Sequence, residues 1–113
     1  MRTGRVRTRG EFAALRERGR RSRQRCVRVL HLPADAPAGP DARDAVRVAF
    51  AIGRPVGSAV VRNRLRRQLR AAIHELAPAP GLYLLSVTPN AVQQSYSDLR
   101  ADLARALAEV GAR

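Results

Sequence analysis

Residues 54–70 read RPVGSAVVRNRLRRQLR, and this segment predicts the central helix of the domain. Ser58 follows Gly57 and can cap the first turn of that helix. Apolar residues then recur every three or four positions, which is typical of a helix that packs one side on a core. They are Val61, Leu65, Leu69, Ile73 and Leu76. We expect the helix to end near Leu76, because prolines follow at positions 78 and 80.

The opposite side of this helix is strongly basic. In a helix of 3.6 residues per turn, one face carries Asn63, Arg66, Arg67, Arg70 and His74, flanked by Arg62 and Arg64. Residues 62–70 contain no acid that could relieve the repulsion among these cations. A solvated face would normally mix Glu with Arg, so the pattern favours an external anion. Asn63 adds a donor and an acceptor that can bind a sugar hydroxyl or a base edge.

The segment just before the central helix predicts a strand with one unusually small face. Val46, Val48, Phe50 and Ile52 alternate with Arg47, Ala49, Ala51 and Gly53. The first set predicts the core side. The small opposite face would admit either a bound ligand or a packed helix, and the periodicity does not choose between them.

Further elements follow on both sides of this region. A capping box at Thr8–Glu11 starts a helix that carries Phe12 and should end at Gly19. Residues 26–32 and 81–88 predict strands, residues 33–44 a loop, and Ser95 the cap of a last helix that ends at Gly111. The order α-β-β-α-β-α predicts an α+β fold, with one small mixed sheet and packed helices. We expect residues 1–7 to be a flexible basic arm and residues 8–113 to be one RNA-binding domain.

Composition narrows the possible functions. The 113 residues carry 22 cations, all of them arginine, against 9 acids, for a net charge of +13. This excess favours a polyanionic partner, although a genome rich in G and C would also encode arginine in place of lysine. A hydrophobic content of 45% argues against a disordered tail, and no stretch is long and apolar enough for a membrane span or a signal peptide. We therefore expect a cytoplasmic protein with no membrane partner and no small-molecule substrate.

The few residues suited to other chemistry are scattered. A single cysteine, Cys26, supports neither a disulfide nor a thiolate metal site. His31 and His74 lack metal-ligand spacing, and the sparse acids form no recognised nuclease motif. We expect no catalytic residue, no bound metal and no cofactor in this chain.

Residues 54–70 closely resemble the signature of the bacterial ribonuclease P protein family, in which a strand leads to Gly, Ala-Val and then Arg-Asn-Arg. The first helix, the strand that ends at Thr88-Pro89 and the last helix also fit, so the resemblance covers nearly residues 8–110. It implies a two-layer α/β sandwich with a left-handed crossover. It also implies that the chain joins ribonuclease P RNA, the catalyst, which uses bound Mg2+ to remove the 5′ leader from precursor tRNA.

The resemblance also implies two sets of contacts. The residues that would face the catalytic RNA are Arg54, Arg62, Asn63, Arg64, Arg66, Arg67 and Arg70. The residues that would form a cleft for the leader are Phe12, Arg28, Leu30, Arg47, Ala49 and Ala51.

The chain departs from the family pattern in the cleft. Arg16 replaces a second aromatic residue, Leu30 a tyrosine-like position, and Pro55 a frequent lysine. Leader binding would therefore rely more on charge and less on stacking. The alternative functions are a structural or assembly protein that binds ribosomal RNA and, after that, a nucleoid DNA-binding protein.

Overall fold

The chain folds into one mixed sheet with helices on both of its faces. The structure, a computed structural model, describes residues 2–34 and 45–113. Its strands and helices are β1 (Arg2–Arg5), α1 (Arg9–Arg18), β2 (Arg20–Gln24), β3 (Val27–Pro33), β4 (Ala45–Ala51), α2 (Ala59–Leu76), β5 (Gly81–Val87) and α3 (Tyr96–Glu109). Short 3-10 turns cover Arg54–Val56 and Pro89–Gln93. The predicted α+β class is confirmed.

The five strands lie in the order β1-β4-β5-β3-β2. Strand β4 runs parallel to both of its neighbours, β1 and β5, whereas β3 runs antiparallel to β5 and β2. Helix α2 therefore forms the crossover connection that two adjacent parallel strands, β4 and β5, require.

The structure differs from the sequence-based expectation at both edges of the sheet. Residues Arg2–Arg5, expected in a flexible arm, form β1 and pair with β4, while β2 was not predicted at all. The element order is therefore β-α-β-β-β-α-β-α. Of the expected loop at 33–44, Pro33 ends β3 and residues 35–44 lie outside the described residues.

The core lies between one face of the sheet and the helices α2 and α3. Leu65, Leu69 and Ile73 of the predicted apolar stripe are almost fully buried. They join the inward residues of the strands, such as Val29 and Leu85, in one apolar cluster. The alternation predicted for residues 46–52 is confirmed, because Val46, Val48 and Ile52 are buried and Phe50 packs against the same cluster.

Helix α1 packs on the other face of the sheet. The predicted capping box is present: the Thr8 hydroxyl accepts from the Glu11 N–H, and the Glu11 carboxylate accepts from the Thr8 N–H. Leu15 is fully buried beneath the helix, and Gly19 ends it. Since the helix has only ten residues, this packing is what makes it stable. Part of the face remains open beside it.

Candidate nucleic-acid interface

Four side chains form a basic face on α2: Asn63, Arg66, Arg67 and Arg70. Asn63, Arg67 and Arg70 are exposed, and Arg66 is half-buried. Arg66 Nη1 donates to Asn63 Oδ1 at 2.9 Å, which leaves the amide NH2 of Asn63 as a donor to an outside group. The structure thus brings together the residues that the helical period placed on one side. Exposed His74 continues the same face one turn further along.

A tight turn at Gly57 precedes helix α2. Gly57 has a φ of 154°, and a Cβ added there would lie 3.1 Å from Val61 Cγ1. Ser58 then caps α2 by accepting from the Val61 N–H at 3.3 Å. Arg54 begins the 3-10 turn just before this point and is exposed, so its charge lies near the N-terminus of α2.

Arg62 and Arg64 lie on opposite flanks of the α2 basic face, because two residues correspond to about 200° of rotation in a helix. Arg64 is exposed, and its Nη2 donates to the Val92 carbonyl at 3.2 Å. Arg62 is half-buried, and its Nε has no hydrogen-bond partner among the described residues. The structure therefore keeps the predicted arrangement, in which four members of the RNA-facing set share one face and Arg62 and Arg64 flank it on separate sides.

The α2 basic face has no carboxylate partner within the described residues. The ion pairs among the described residues are Arg47–Glu11, Arg100–Glu75 and Arg105–Asp102, and none of them involves the α2 basic face. Arg70 instead lies over an aromatic ring, with its guanidinium carbon 5.4 Å from the centre of Phe50. Such stacking holds a guanidinium in place while its charge remains available to an anion.

A groove on the open face of the sheet forms the second candidate surface. Its volume is about 410 Å³. Its principal lining residues are Arg21, Arg23, Arg28, Leu30, Leu84 and Ser86. The strand register places Ala49 beside Leu84 and Ala51 beside Ser86, so the small residues of β4 extend the same face. Three guanidiniums thus surround an apolar floor, and no carboxylate of the described residues lines it.

Phe12 and Arg47 occupy different surroundings from the other predicted cleft residues. Phe12 lies half-buried on α1, where the guanidinium carbon of Arg16 is 5.9 Å from its ring centre, and it does not line the groove itself. Arg47 is on the correct face but is bound within the protein. Its Nη2 donates to Glu11 Oε1 at 2.8 Å, and its Nε donates to the Arg5 carbonyl at 3.1 Å.

Sequence reasoning missed four groove residues: Arg21, Arg23, Leu84 and Ser86. The last two were detectable, since residues 82, 84 and 86 alternate with buried Tyr83 and Leu85 on a predicted strand. Arg21 and Arg23 lie on the unpredicted strand β2. Arg21 also donates to the Arg16 carbonyl at 3.0 Å, which ties the groove to the end of α1.

Side chains that could bind a metal are dispersed in the part of the chain that the structure describes. No cluster of three or more His, Cys, Asp or Glu there could hold a metal ion. No described helix has the length and apolarity needed to cross a membrane. Cys26 and His31 are both buried, and the His31 ring stacks on Tyr83 with centroids 4.2 Å apart.

Comparison with known proteins identifies the family of this chain. The family model for ribonuclease P matches residues 1–111. The chain belongs to the ribonuclease P protein family. A ribonuclease P protein component from Thermobifida fusca is 36% identical, over 94% of this chain and 75% of that one. Another, from a Nocardioides species, is 37% identical over 96% of this chain and 92% of its own length.

The fold agrees as well. The ribonuclease P protein of Staphylococcus aureus superposes with a TM-score of 0.75 at 18% identity, covering 94% of this chain and 95% of the other. At that identity the likeness concerns the fold alone. Membership of the ribonuclease P protein family connects this chain with tRNA processing and implies an RNA partner.

Proposed function

We propose that this chain binds the catalytic RNA of ribonuclease P through the α2 basic face and the 5′ leader of precursor tRNA through the groove. The RNA subunit, with its bound Mg2+, would cut the leader, and the protein would bind and position both RNAs. The observation that carries the proposal is the α2 basic face, where three arginines and an asparagine have no carboxylate partner within residues 2–34 and 45–113.

The α2 basic face suits a folded RNA. Its guanidiniums can each grip a phosphate with two parallel hydrogen bonds, and each such grip releases counterions from the RNA. The Asn63 amide can donate to a 2′-hydroxyl or a base edge. A surface made of guanidiniums alone would mainly bind phosphates, so Asn63 adds a contact that depends on the sugar or the base. Arg54 and the N-terminus of α2 extend the same surface toward further phosphates.

The groove suits a single strand. Leu30 and Leu84 give an apolar floor for bases, while Arg21, Arg23 and Arg28 lie where phosphates would pass. The small side chains of Ala49 and Ala51 on the same face allow a nucleotide backbone to approach the sheet closely. We assign Arg47 to holding α1 in place, since its guanidinium is already bound by Glu11.

Reconstitution tests the proposal. The protein is added to ribonuclease P RNA at a low magnesium concentration, and cleavage of a precursor tRNA is measured. We expect faster cleavage and tighter binding of precursor than of mature tRNA. A ribosomal RNA fragment at the same ionic strength serves as the competitor. Equal affinity for that fragment, together with no stimulation of cleavage, would reject the proposal in favour of a ribosomal role.

A further inference from the structure

A second hollow lies past one end of the groove, where the turn between β2 and β3 meets the 3-10 turn after β5. Its volume is about 580 Å³, within the range of about 300–1,000 Å³ that small ligands occupy in proteins. The Thr88 N–H donates to the Cys26 carbonyl at 2.9 Å and so fixes the two turns against each other. The residues around the opening are Arg23, Arg25, Thr88, Asn90, Gln93 and Gln94.

The chemistry of this hollow differs from that of the groove. The groove has an apolar floor, whereas the hollow presents three carboxamides and a hydroxyl together with two guanidiniums. Within the described residues, neither Arg23 nor Arg25 is paired with a carboxylate. Carboxamides offer a donor and an acceptor side by side, which is the pattern that matches the edge of a nucleobase.

The carboxamide of Gln94 is held in a fixed orientation. The Cys26 thiol donates to Gln94 Oε1 at 2.8 Å, so the NH2 end remains as a donor. Burial and the nearby Asp102 carboxylate, whose Oδ2 lies 3.9 Å from the sulfur, both raise the pKa of Cys26. The thiol therefore stays protonated and keeps this hydrogen bond at neutral pH.

The turn between β2 and β3 brings Arg25 to the opening of the hollow. Arg25 has a φ of 51°, in the left-handed region that non-glycine residues rarely adopt. Arg23 lines both the groove and the hollow. A strand lying in the groove can therefore pass Arg23 and bring its next nucleotide to Arg25 and the carboxamides.

From this arrangement we infer that the hollow binds one unpaired RNA nucleotide and distinguishes its base. Arg23 and Arg25 bind the flanking phosphates, and Asn90, Gln93 and Gln94 bind the base edge. The inference rests on the proposed function, because the nucleotide is the next one along the leader that fills the groove. It adds a site of base preference that is separate from the stacking and charge of the groove.

The test uses the reconstituted complex and precursor tRNAs whose leaders are lengthened one nucleotide at a time. We expect a gain in affinity when the leader first reaches the hollow. In the double variant Asn90→Ala/Gln93→Ala that gain falls roughly five- to tenfold, as expected for the loss of about one or two net hydrogen bonds. Shorter leaders should bind equally well to both proteins. Gln68→Ala, a carboxamide on α2 that lines neither site, is the matched control.

An abasic nucleotide at the same leader position completes the cycle. It should weaken binding to the unmodified protein and have a clearly smaller effect on the double variant, which retains only Gln94, and this difference couples the base to Asn90 and Gln93. Arg25→Gly suits the left-handed backbone at this position. It should weaken the binding of precursors with long leaders and reduce the slope of log affinity against log salt by about one. If the abasic leader binds the unmodified protein as well as the intact one, or if short and long leaders weaken alike in the double variant, the inference is wrong. Failure of the proposed function would differ, since precursor and mature tRNA would then bind the unmodified protein equally.

Discussion

Glu11 connects three parts of the molecule. Its Oε1 accepts from the backbone N–H groups of Arg7 at 3.0 Å and Thr8 at 3.1 Å, and its carboxylate also binds both terminal nitrogens of Arg47. Arg47 in turn donates to the carbonyl of Arg5. One carboxylate–guanidinium pair thus holds α1, β4 and β1 together beside the groove.

This pair predicts a dependence of stability on pH. Partial burial acts to raise the pKa of Glu11, but the hydrogen bonds from Arg7, Arg47 and Thr8 outweigh it and lower that pKa from its usual 4.5. A lowered folded-state pKa stabilises the protein above the unfolded value, and this stability is lost as the pH falls through the folded value. Glu11→Gln should reduce the free energy of unfolding at neutral pH by about 1 kcal/mol and weaken its fall in acid. Urea unfolding at several pH values measures both.

The matched control is Glu17→Gln, an exposed carboxylate on the same helix. It should leave the acid dependence nearly unchanged. If the Glu11 variant follows the same pH curve as the unmodified protein, the pair does not hold α1 on the sheet.

His31 predicts a second pH effect at a higher pH. Burial of the ring is the largest cause that lowers the pKa of His31 from 6.5, and the charge of Arg20 lowers it further. The hydrogen bond with the Leu82 carbonyl acts in the opposite direction. The unfolded chain takes up the proton first, so stability should decline as the pH falls below about 6.5. His31→Phe should remove that decline, at a cost of about 1 kcal/mol at neutral pH for the lost hydrogen bond. Thermal unfolding measured against pH checks it, and exposed His74→Gln should keep the decline.

Among the elements, α2 is the one that its sequence defines most completely. Its cap at Ser58, its last residue Leu76 and its buried stripe agree with three separate signals in the sequence: a serine after a glycine, the prolines that follow the helix, and the apolar period. The periodicity does not show what a flanking side chain will touch. Arg64 bonds to the Val92 carbonyl, a backbone group 28 positions away, so only the folded structure reveals that partner.

For α2 we predict that Arg66→Ala/Arg67→Ala weakens binding to ribonuclease P RNA. The plot of log affinity against log salt should flatten by about one unit for each phosphate that the variant no longer neutralises. Filter binding at several salt concentrations measures the slope. Exposed Arg113→Ala removes a like charge elsewhere and should leave the slope unchanged. An unaltered slope in the double variant would show that these two residues do not bind phosphate.

The two strands missing from the predicted order are both arginine-rich. Strand β1 reads RTGR and β2 reads RRSRQ, and neither shows alternation of apolar and polar residues. They are strands because β4 and β3 supply backbone hydrogen bonds to them, and only Ser22 of β2 turns a buried side chain inward. Strand prediction from apolar alternation fails at such edges, where pairing with a neighbour and not burial decides the structure.

At the scale of the whole molecule, the sheet separates the two proposed RNA-binding surfaces. Helices α2 and α3 cover one face, and the groove opens on the other beside α1. Local periodicity predicted the α2 basic face. The cleft residues followed only from the family resemblance, because the alternation of residues 46–53 did not choose between a bound ligand and a packed helix. The sequence did not predict that Arg47 would be bound by Glu11, because the partners are 36 positions apart and lie on different elements.

This separation predicts that leader binding can be weakened while RNA-subunit binding is kept. Phe12 lies on α1 outside the lining of the groove, so the prediction takes one leader base beyond the groove onto its ring. Phe12→Ala should weaken the binding of precursor tRNA by roughly 1–3 kcal/mol, the usual contribution of one base stacked on an aromatic ring, and leave the binding of mature tRNA unaffected. Competition binding with the two tRNAs measures the difference. Phe12→Leu keeps an apolar side chain at this half-buried position and should lose the same discrimination without loss of fold. Equal weakening of both tRNAs would place Phe12 outside the leader path.

The arginine-rich borders of the sheet also affect how copies of this protein meet. An open strand edge offers unpaired N–H and C=O groups to any similar edge, and charged side chains are a common protection against such pairing. Here each border repels its counterpart on another copy, so the free protein should resist joining sheet to sheet. Excess RNA would coat each copy with negative charge and so keep the copies apart. A small amount of polyanion would instead neutralise the borders and favour aggregation. Purification should therefore remove nucleic acid completely or supply it in full.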